Sequence, residues 1–123
     1  MSPKTDLKAE ELFSTEAGFE SSLTGIYLMM TDQGAYGGNM SFGMLDQLAQ
    51  QYDYIPDGAN DRMAIYNYAT ATTDGFRTKQ KLAQSWLKLY NIIANCNNLL
   101  KWLDNKGEAV IRNANTRNAY RAE

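Results

Sequence analysis

The chain has 123 residues and a net charge of −2 from 12 basic and 14 acidic residues, which fits one domain or part of one. With 12 Leu but a single Val, its composition disfavours buried parallel sheets and β-sandwiches, whose strands favour β-branched residues. The lack of His and the single Cys exclude Ser-His-Asp triads, His-ligated metals and internal disulfides within this chain. We therefore expect an all-α fold with a thin core and no cofactor.

The polar and charged residues limit the kinds of partner and activity that the sequence predicts. The basic residues are few and scattered, so the sequence carries no electrostatic footprint for nucleic acid. No run of 18 apolar residues predicts a membrane span, and no pair of acids predicts carboxylate catalysis, so we do not expect an enzyme. The 11 Asn and 6 Gln supply amides that donate and accept hydrogen bonds at once. They suit either a hydroxyl-rich ligand or plain solvated surface.

Two helices are predicted in the first half of the chain. Ser14 and Thr15 are N-cap candidates for a helix over 15–31, whose apolar stripe is Phe19, Leu23, Ile26 and Met30. The sequence Asp32-Gln33-Gly34 ends it. Ser41 is predicted to cap a second helix over 41–52, with Leu45, Leu48, Ala49 and Tyr52 on one face. Residues 52–74 then lose the helical periodicity, which predicts a long irregular loop.

The longest predicted helix covers 74–106, with Gly107 as a left-handed stop. Its apolar stripe is Leu82, Trp86, Leu89, Ile93, Cys96 and Leu100, with Ile92, Leu99 and Leu103 on one flank. Cys96 is expected to be a small buried hydrophobe. Leu87 and Trp102 lie on the opposite, polar face, so we predict that both face a partner, namely polypeptide outside this segment.

Two further expectations concern polar residues of the second half. A helix-interior Asn is unfavourable by propensity, so Asn97 is expected to make a structural hydrogen bond to a neighbouring helix end. Thr116 is predicted to cap a fourth helix, and no Gly, Asn or Pro closes that helix before Glu123. Together with the thin core, this predicts a fragment of a larger helical domain, with the helix at about 116–123 truncated.

Three segments together resemble a known family. Within residues 86–100, the residues Trp86, Tyr90, Ile93, Asn97, Leu99 and Leu100 fill the pattern W..lY..I..aN.ll. Residues 16–27 look like a helix with the pattern E.A..gl.GiY, and residues 120–123 look like the start of an aEa.flRA helix. In this order and spacing, the three are similar to the SusD-like (RagB-type) outer-membrane nutrient-binding lipoproteins. The resemblance covers the chain but only the N-terminal part of a family member.

Membership would imply a bundle of tetratricopeptide-like helix pairs, and Trp86 and Leu89 match the W-x2-L opening of such a repeat. It would also imply a lipoprotein at the cell surface, on the outer membrane. There it would sit on a SusC-like TonB-dependent transporter and capture an oligosaccharide or another nutrient for carbohydrate uptake. The transporter and the remainder of its own chain would be its protein partners. Contact with the membrane would be through a lipid anchor, whose Cys and signal peptide this sequence lacks.

Sugar binding asks for aromatic rings against C–H faces and for polar side chains on the hydroxyls. The loop over 52–74 offers both, and the residues predicted to bind ligand are Tyr54, Tyr66, Tyr68, Asp57, Asn60 and Asn67. The tyrosines could instead anchor the loop to the helices. The alternative function is a helical-repeat scaffold for protein interaction, with no ligand of its own.

Overall fold

The computed structural model describes residues 4–52 and 76–123, with side chains for residues 8–52 and 79–123. The helices there are α1 (Lys4–Leu12), α2 (Glu16–Met30), α3 (Met44–Leu48), α4 (Phe76–Trp102), α5 (Glu108–Val110) and α6 (Ala114–Ala122). One π-helical turn, Leu103–Gly107, joins α4 to α5. All regular structure in these two ranges is helical, which confirms the predicted all-α class. None of these helices has the length and apolarity that a membrane crossing requires.

The chain divides into two compact units, and each has buried side chains of its own. The first unit is Met1–Tyr27 with Ile93–Glu123, and the second is Leu28–Ile92. Buried in the first unit are Phe13, Phe19, Ile26, Leu99, Leu103 and Ile111. Buried in the second are Ala35, Asn39, Met44, Ser85 and Ile92. The first core is therefore apolar, whereas the second includes two polar side chains.

The corner between α1 and α2 centres on Phe13, which is 1% exposed. Its ring lies 4.9 Å from that of Phe19 and stacks on Trp102 at 5.4 Å with a 17° interplanar angle. Gly18 brings the first turn of α2 against the Leu12 carbonyl, where a Cβ atom has no room. The predicted helix over 15–31 is confirmed as Glu16–Met30, with Phe19 and Ile26 of its stripe buried. α1 and the central role of Phe13 were not predicted.

The predicted helix over 41–52 is wrong, because α3 covers only Met44–Leu48. The Ser41 hydroxyl does not cap it and donates instead to the carbonyls of Tyr36 and Gly38. The buried residue of α3 is Met44, whereas Leu45 of the predicted face is exposed. Polar backbone turns thus take the place of the first helical turn that the sequence suggests.

A Schellman motif ends α3. The Gln51 N–H donates to the Asp46 carbonyl at 3.0 Å, and the Gln50 N–H donates to the Gln47 carbonyl at 3.1 Å. Gln50 holds the left-handed position with φ 57°, which is unusual for a residue with a side chain. Since no Gly marks this stop, the sequence patterns do not reveal it.

The buried line of α4 runs along the predicted flank and not along the predicted stripe. Ile92, Leu99 and Leu103 are buried, whereas Trp86 is 64% exposed. Exposed with it are Leu82, Ile93 and Leu100, and Leu89 and Cys96 are half-buried. The stripe prediction is therefore wrong in direction, because the apolar arc of α4 is wider than the surface that the described helices cover.

Gly107 is not a left-handed stop. It has right-handed helical angles of φ −55° and ψ −42°, and the helical path leaves only at Ile111, with φ −103° and ψ 98°. Gly107 is buried, and a Cβ atom there would lie 2.9 Å from Cδ1 of Leu103. A larger residue at this position would therefore displace the Leu103 side chain, whereas the backbone angles are open to any residue.

The last helix begins two residues earlier than its predicted cap. Asn113 caps α6, because its Oδ1 accepts the Asn115 N–H at 2.9 Å, so Thr116 lies inside the first turn. Burial raises the pKa of the Tyr120 hydroxyl, and the carboxylates of Glu20 and Glu16 raise it further. Tyr120 is therefore uncharged at neutral pH.

The left-handed Gln50 leads to a stability prediction. Replacing Gln50 with Gly should raise the free energy of unfolding by about 1 kcal/mol, because a side chain costs about 1–2 kcal/mol in this conformation. Urea denaturation of the purified protein measures the change. Gln51→Gly, at the next position, is the matched control and should not stabilise. An equal effect of both substitutions would contradict the strain at Gln50.

Replacing Gly37 or Gly25 with Ala is expected to change the stability of the protein in opposite directions. A Cβ atom on Gly37 would collide with the backbone carbonyl of Thr31, whereas one on Gly25, inside α2, would meet nothing within 4 Å. Gly37→Ala should therefore destabilise the protein by about 2 kcal/mol. Gly25→Ala should stabilise it by about 0.5–1 kcal/mol, because Ala loses less backbone entropy in a helix. Thermal melts of both variants against the parent check the signs, and a neutral Gly37→Ala would refute the close approach.

Candidate functional site

A cleft of about 400 Å³ lies in the second unit, between the turn that follows α2 and one face of α4. Its lining residues are Asp32, Gln33, Gly34, Gln84, Leu87, Lys88 and Asn91. Three of these side chains are neutral amides, two form a pair of opposite charges and one is apolar. The cleft therefore combines polar side-chain heads with apolar surface, part of it at Leu87.

Two contacts hold the segment after α2 against α4: the close approach of Gly34 to Gln84 and a hydrogen bond from Asn39 to Lys81. Asp32 Oδ1 accepts the Gly34 N–H at 2.9 Å, which closes a local Asx turn. Gly34 then approaches α4 so closely that a Cβ atom would lie 3.1 Å from the Gln84 carbonyl oxygen. Further along, the buried Asn39 donates from Nδ2 to the Lys81 carbonyl at 3.2 Å. These contacts fix the position of Asp32 and Gln33 beside the helix.

α4 supplies the other wall through a regular spacing. Gln84, Leu87, Lys88 and Asn91 stand at i, i+3, i+4 and i+7, which places them on one face of the helix. Leu87 is 69% exposed. The cleft wall therefore presents polar heads around an accessible apolar side chain.

An ion pair joins the two walls. Lys88 Nζ lies 3.0 Å from Asp32 Oδ2, and both side chains are partly exposed. The pKa of Asp32 lies below its ordinary value, because the Gly34 N–H and then the Lys88 ammonium favour the carboxylate. The pair is therefore intact at neutral pH, and on acidification it is lost as the pH falls through that lowered pKa.

The amides determine what the cleft can bind. Gln33, Gln84 and Asn91 each carry a carbonyl acceptor and an NH₂ donor. A ligand that offers hydroxyl groups can pair with amides such as those of Gln33 and Gln84, and its C–H groups can lie against Leu87. Among residues 8–52 and 79–123, no group of three or more His, Cys, Asp or Glu side chains could hold a metal ion.

The ligand residues predicted from the sequence are not part of this cleft as described. Tyr54, Tyr66, Tyr68, Asp57, Asn60 and Asn67 lie outside the described residues, and their role stays a prediction. Tyr52, at the edge of that segment, donates its hydroxyl hydrogen to the Phe42 carbonyl at 2.6 Å.

The two residues predicted to face a partner have different surroundings. Leu87 lines the cleft and is exposed, so its partner-facing role stays a prediction. Trp102 is half-buried in the first unit, where it stacks on Phe13 and lies 5.4 Å below Lys106 Nζ. It therefore has partners within the chain, where the sequence led us to expect polypeptide outside it. Asn97 is exposed on α4.

Sequence reasoning assigned no role to most residues of the cleft. In the sequence, Asp32, Gln33 and Gly34 predict only a helix stop, and Gln84 and Asn91 belong to the polar face of the longest predicted helix. The available signal was the i, i+4, i+7 spacing of Gln84, Lys88 and Asn91 on one side of a long helix. The approach of the turn to that side depends on Gly34 and Asn39, which local patterns do not reveal.

No protein-family model, no curated protein and no solved structure is significantly similar to this chain.

Proposed function

We propose that this protein binds an oligosaccharide, or another hydroxyl-rich nutrient, at the cell surface as the lipoprotein partner of a TonB-dependent transporter. The observation that carries the proposal is the cleft lined by Gln33, Gln84 and Asn91 beside the Asp32–Lys88 pair. The resemblance to SusD-like lipoproteins supports the transporter partnership and the outer-membrane location. The proposed role is capture, with no covalent chemistry.

The chemistry of the cleft matches that of a sugar. Each hydroxyl of a sugar ring donates and accepts, and an amide side chain does the same in return. A volume of about 400 Å³ is within the usual range for small-molecule sites. The exposed Leu87 offers an apolar contact for the C–H face of a ring. Exposed polar walls permit exchange of ligand, which suits a protein that must pass its ligand on.

Removing one amide should weaken binding. Gln84→Leu keeps the approximate size of the side chain but removes its donor and acceptor, so we expect about tenfold weaker binding of an oligosaccharide that the parent protein binds. Isothermal titration with malto-, xylo- and manno-oligosaccharides measures the affinity.

Asn97→Leu is the matched control, because Asn97 is an exposed amide on the same helix that does not line the cleft. It should leave the affinity unchanged. Equal losses in both variants would remove the cleft from the binding site. Failure of the parent protein to bind any of the three oligosaccharide classes would count against the proposed function itself.

A second candidate function, a helical scaffold for protein interaction, is favoured by a different surface. Trp86 and Tyr90 lie side by side on α4, with ring centroids 4.8 Å apart at 44°, and they are 64% and 55% exposed. Leu82, one turn earlier, is also exposed. Exposed aromatic and apolar side chains of this kind are typical of protein interfaces.

Substitution at Trp86 tests whether this surface binds protein. If this surface binds protein, Trp86→Lys should reduce co-purification of a TonB-dependent transporter from the native membrane by about tenfold or more, because aromatic anchors dominate interface energies. Oligosaccharide binding should not change. Gln84→Leu is the reciprocal control and should leave co-purification intact. Unchanged co-purification of Trp86→Lys would remove this surface from the interface.

A further inference from the structure

We propose that the Asp32–Lys88 ion pair makes the cleft selective for uncharged, hydroxyl-rich ligands over acidic or cationic sugars. This inference rests on the proposed function and names its substrate class more narrowly. It concerns discrimination between ligands and not the existence of binding.

The charges of the cleft cancel within the cleft itself. Its charged residues are Asp32 and Lys88, and the other side chains that line it are amides and Leu87. With Nζ and Oδ2 only 3.0 Å apart, the two opposite charges leave a dipole and no net charge for a ligand to meet. A neutral sugar can accept from the ammonium and donate to the carboxylate without separating them.

A charged sugar is at a disadvantage in the same place. An acidic sugar that reaches Lys88 also comes close to the Asp32 carboxylate, and like charges placed together oppose binding. Asp32 is not free to turn away, because its Oδ1 accepts the Gly34 N–H at 2.9 Å while its Oδ2 faces Lys88. A cationic amino sugar meets the corresponding repulsion from Lys88. The pair therefore works against both signs of charge.

Replacing either residue of the ion pair should shift the selectivity of the cleft toward sugars of one charge. Asp32→Asn keeps an oxygen that can accept the Gly34 N–H, so the turn is retained while Lys88 becomes an uncompensated positive charge. Its affinity for oligogalacturonate should rise by about tenfold, and its affinity for neutral oligosaccharides should change by no more than about threefold. Lys88→Gln leaves Asp32 uncompensated, so its affinity for glucosamine oligomers should rise by a similar factor.

The matched control is Asp104→Asn, which changes the net charge of the protein by the same amount at an exposed carboxylate that does not line the cleft. It should leave the affinity for oligogalacturonate unchanged. The gain in Asp32→Asn should also shrink as salt is raised, because the new interaction is between charges near the surface. Titrations of the purified full chain with the three ligand classes at low and high salt provide both tests, and thermal melts check folding.

The outcomes separate this inference from the function beneath it. The inference is supported if Asp32→Asn gains affinity for oligogalacturonate and Lys88→Gln gains affinity for glucosamine oligomers. If one of the variants fails to fold, the result with the other decides. If the parent protein binds neutral oligosaccharides but neither folded variant gains affinity for its charged ligand over Asp104→Asn, the selectivity proposal is overturned and sugar binding stands. A parent protein that prefers a charged sugar also overturns it. If the parent binds none of the three classes, the proposed function fails first.

Discussion

The second unit depends on the contact between the backbone of α4 and the polar segment that follows α2. Asn39 is 2% exposed, and its Nδ2 donates to the Lys81 carbonyl. An amide buried to this extent costs free energy unless it is paired, so the hydrogen bond and the burial require each other. Gly34 completes the contact, because a Cβ atom there would lie only 3.1 Å from the Gln84 carbonyl oxygen. Together they hold Asp32 at the distance at which Lys88 can reach it.

The segment from Thr31 to Gly43 keeps its shape without regular secondary structure. Its backbone groups pair across short turns: the Tyr36 N–H donates to the Met30 carbonyl, and the Asn39 N–H donates to the Gln33 carbonyl. The Gly43 N–H donates to the Gly38 carbonyl at 2.9 Å in the same way. Because buried backbone groups must be paired, such turns make an irregular segment compatible with a packed interior. Because Asp32, Gln33 and Gly34 belong to this segment, the same turns hold the polar wall of the cleft in place.

Composition predicted the all-α class, and periodicity and capping predicted α2, whose pattern lies in residues close in sequence. The length of α3 depends on a left-handed Gln50, which has no local mark, and the Gly that was predicted to end the longest helix lies inside a right-handed helical path. The buried line of α4 could not be predicted, because the positions of apolar residues around the helix do not show which of them other helices cover. For the same reason Leu87 was recognised as unusual, whereas Asp32 gained significance only once the turn was placed on the helix.

Within the first unit, the orientation of the residues after the π-helical turn at Leu103–Gly107 depends on how many residues that turn contains. It depends less on which residues they are. Such a turn carries one residue more than an α-helical turn, so removal of Asn105 would restore the α-helical count. Everything downstream would then rotate by about 100° around the helix axis. Ile111, now completely buried, would turn away from its core. The exposed Asp104 and Asn105 should therefore tolerate many substitutions, whereas the stretch should tolerate very few insertions or deletions.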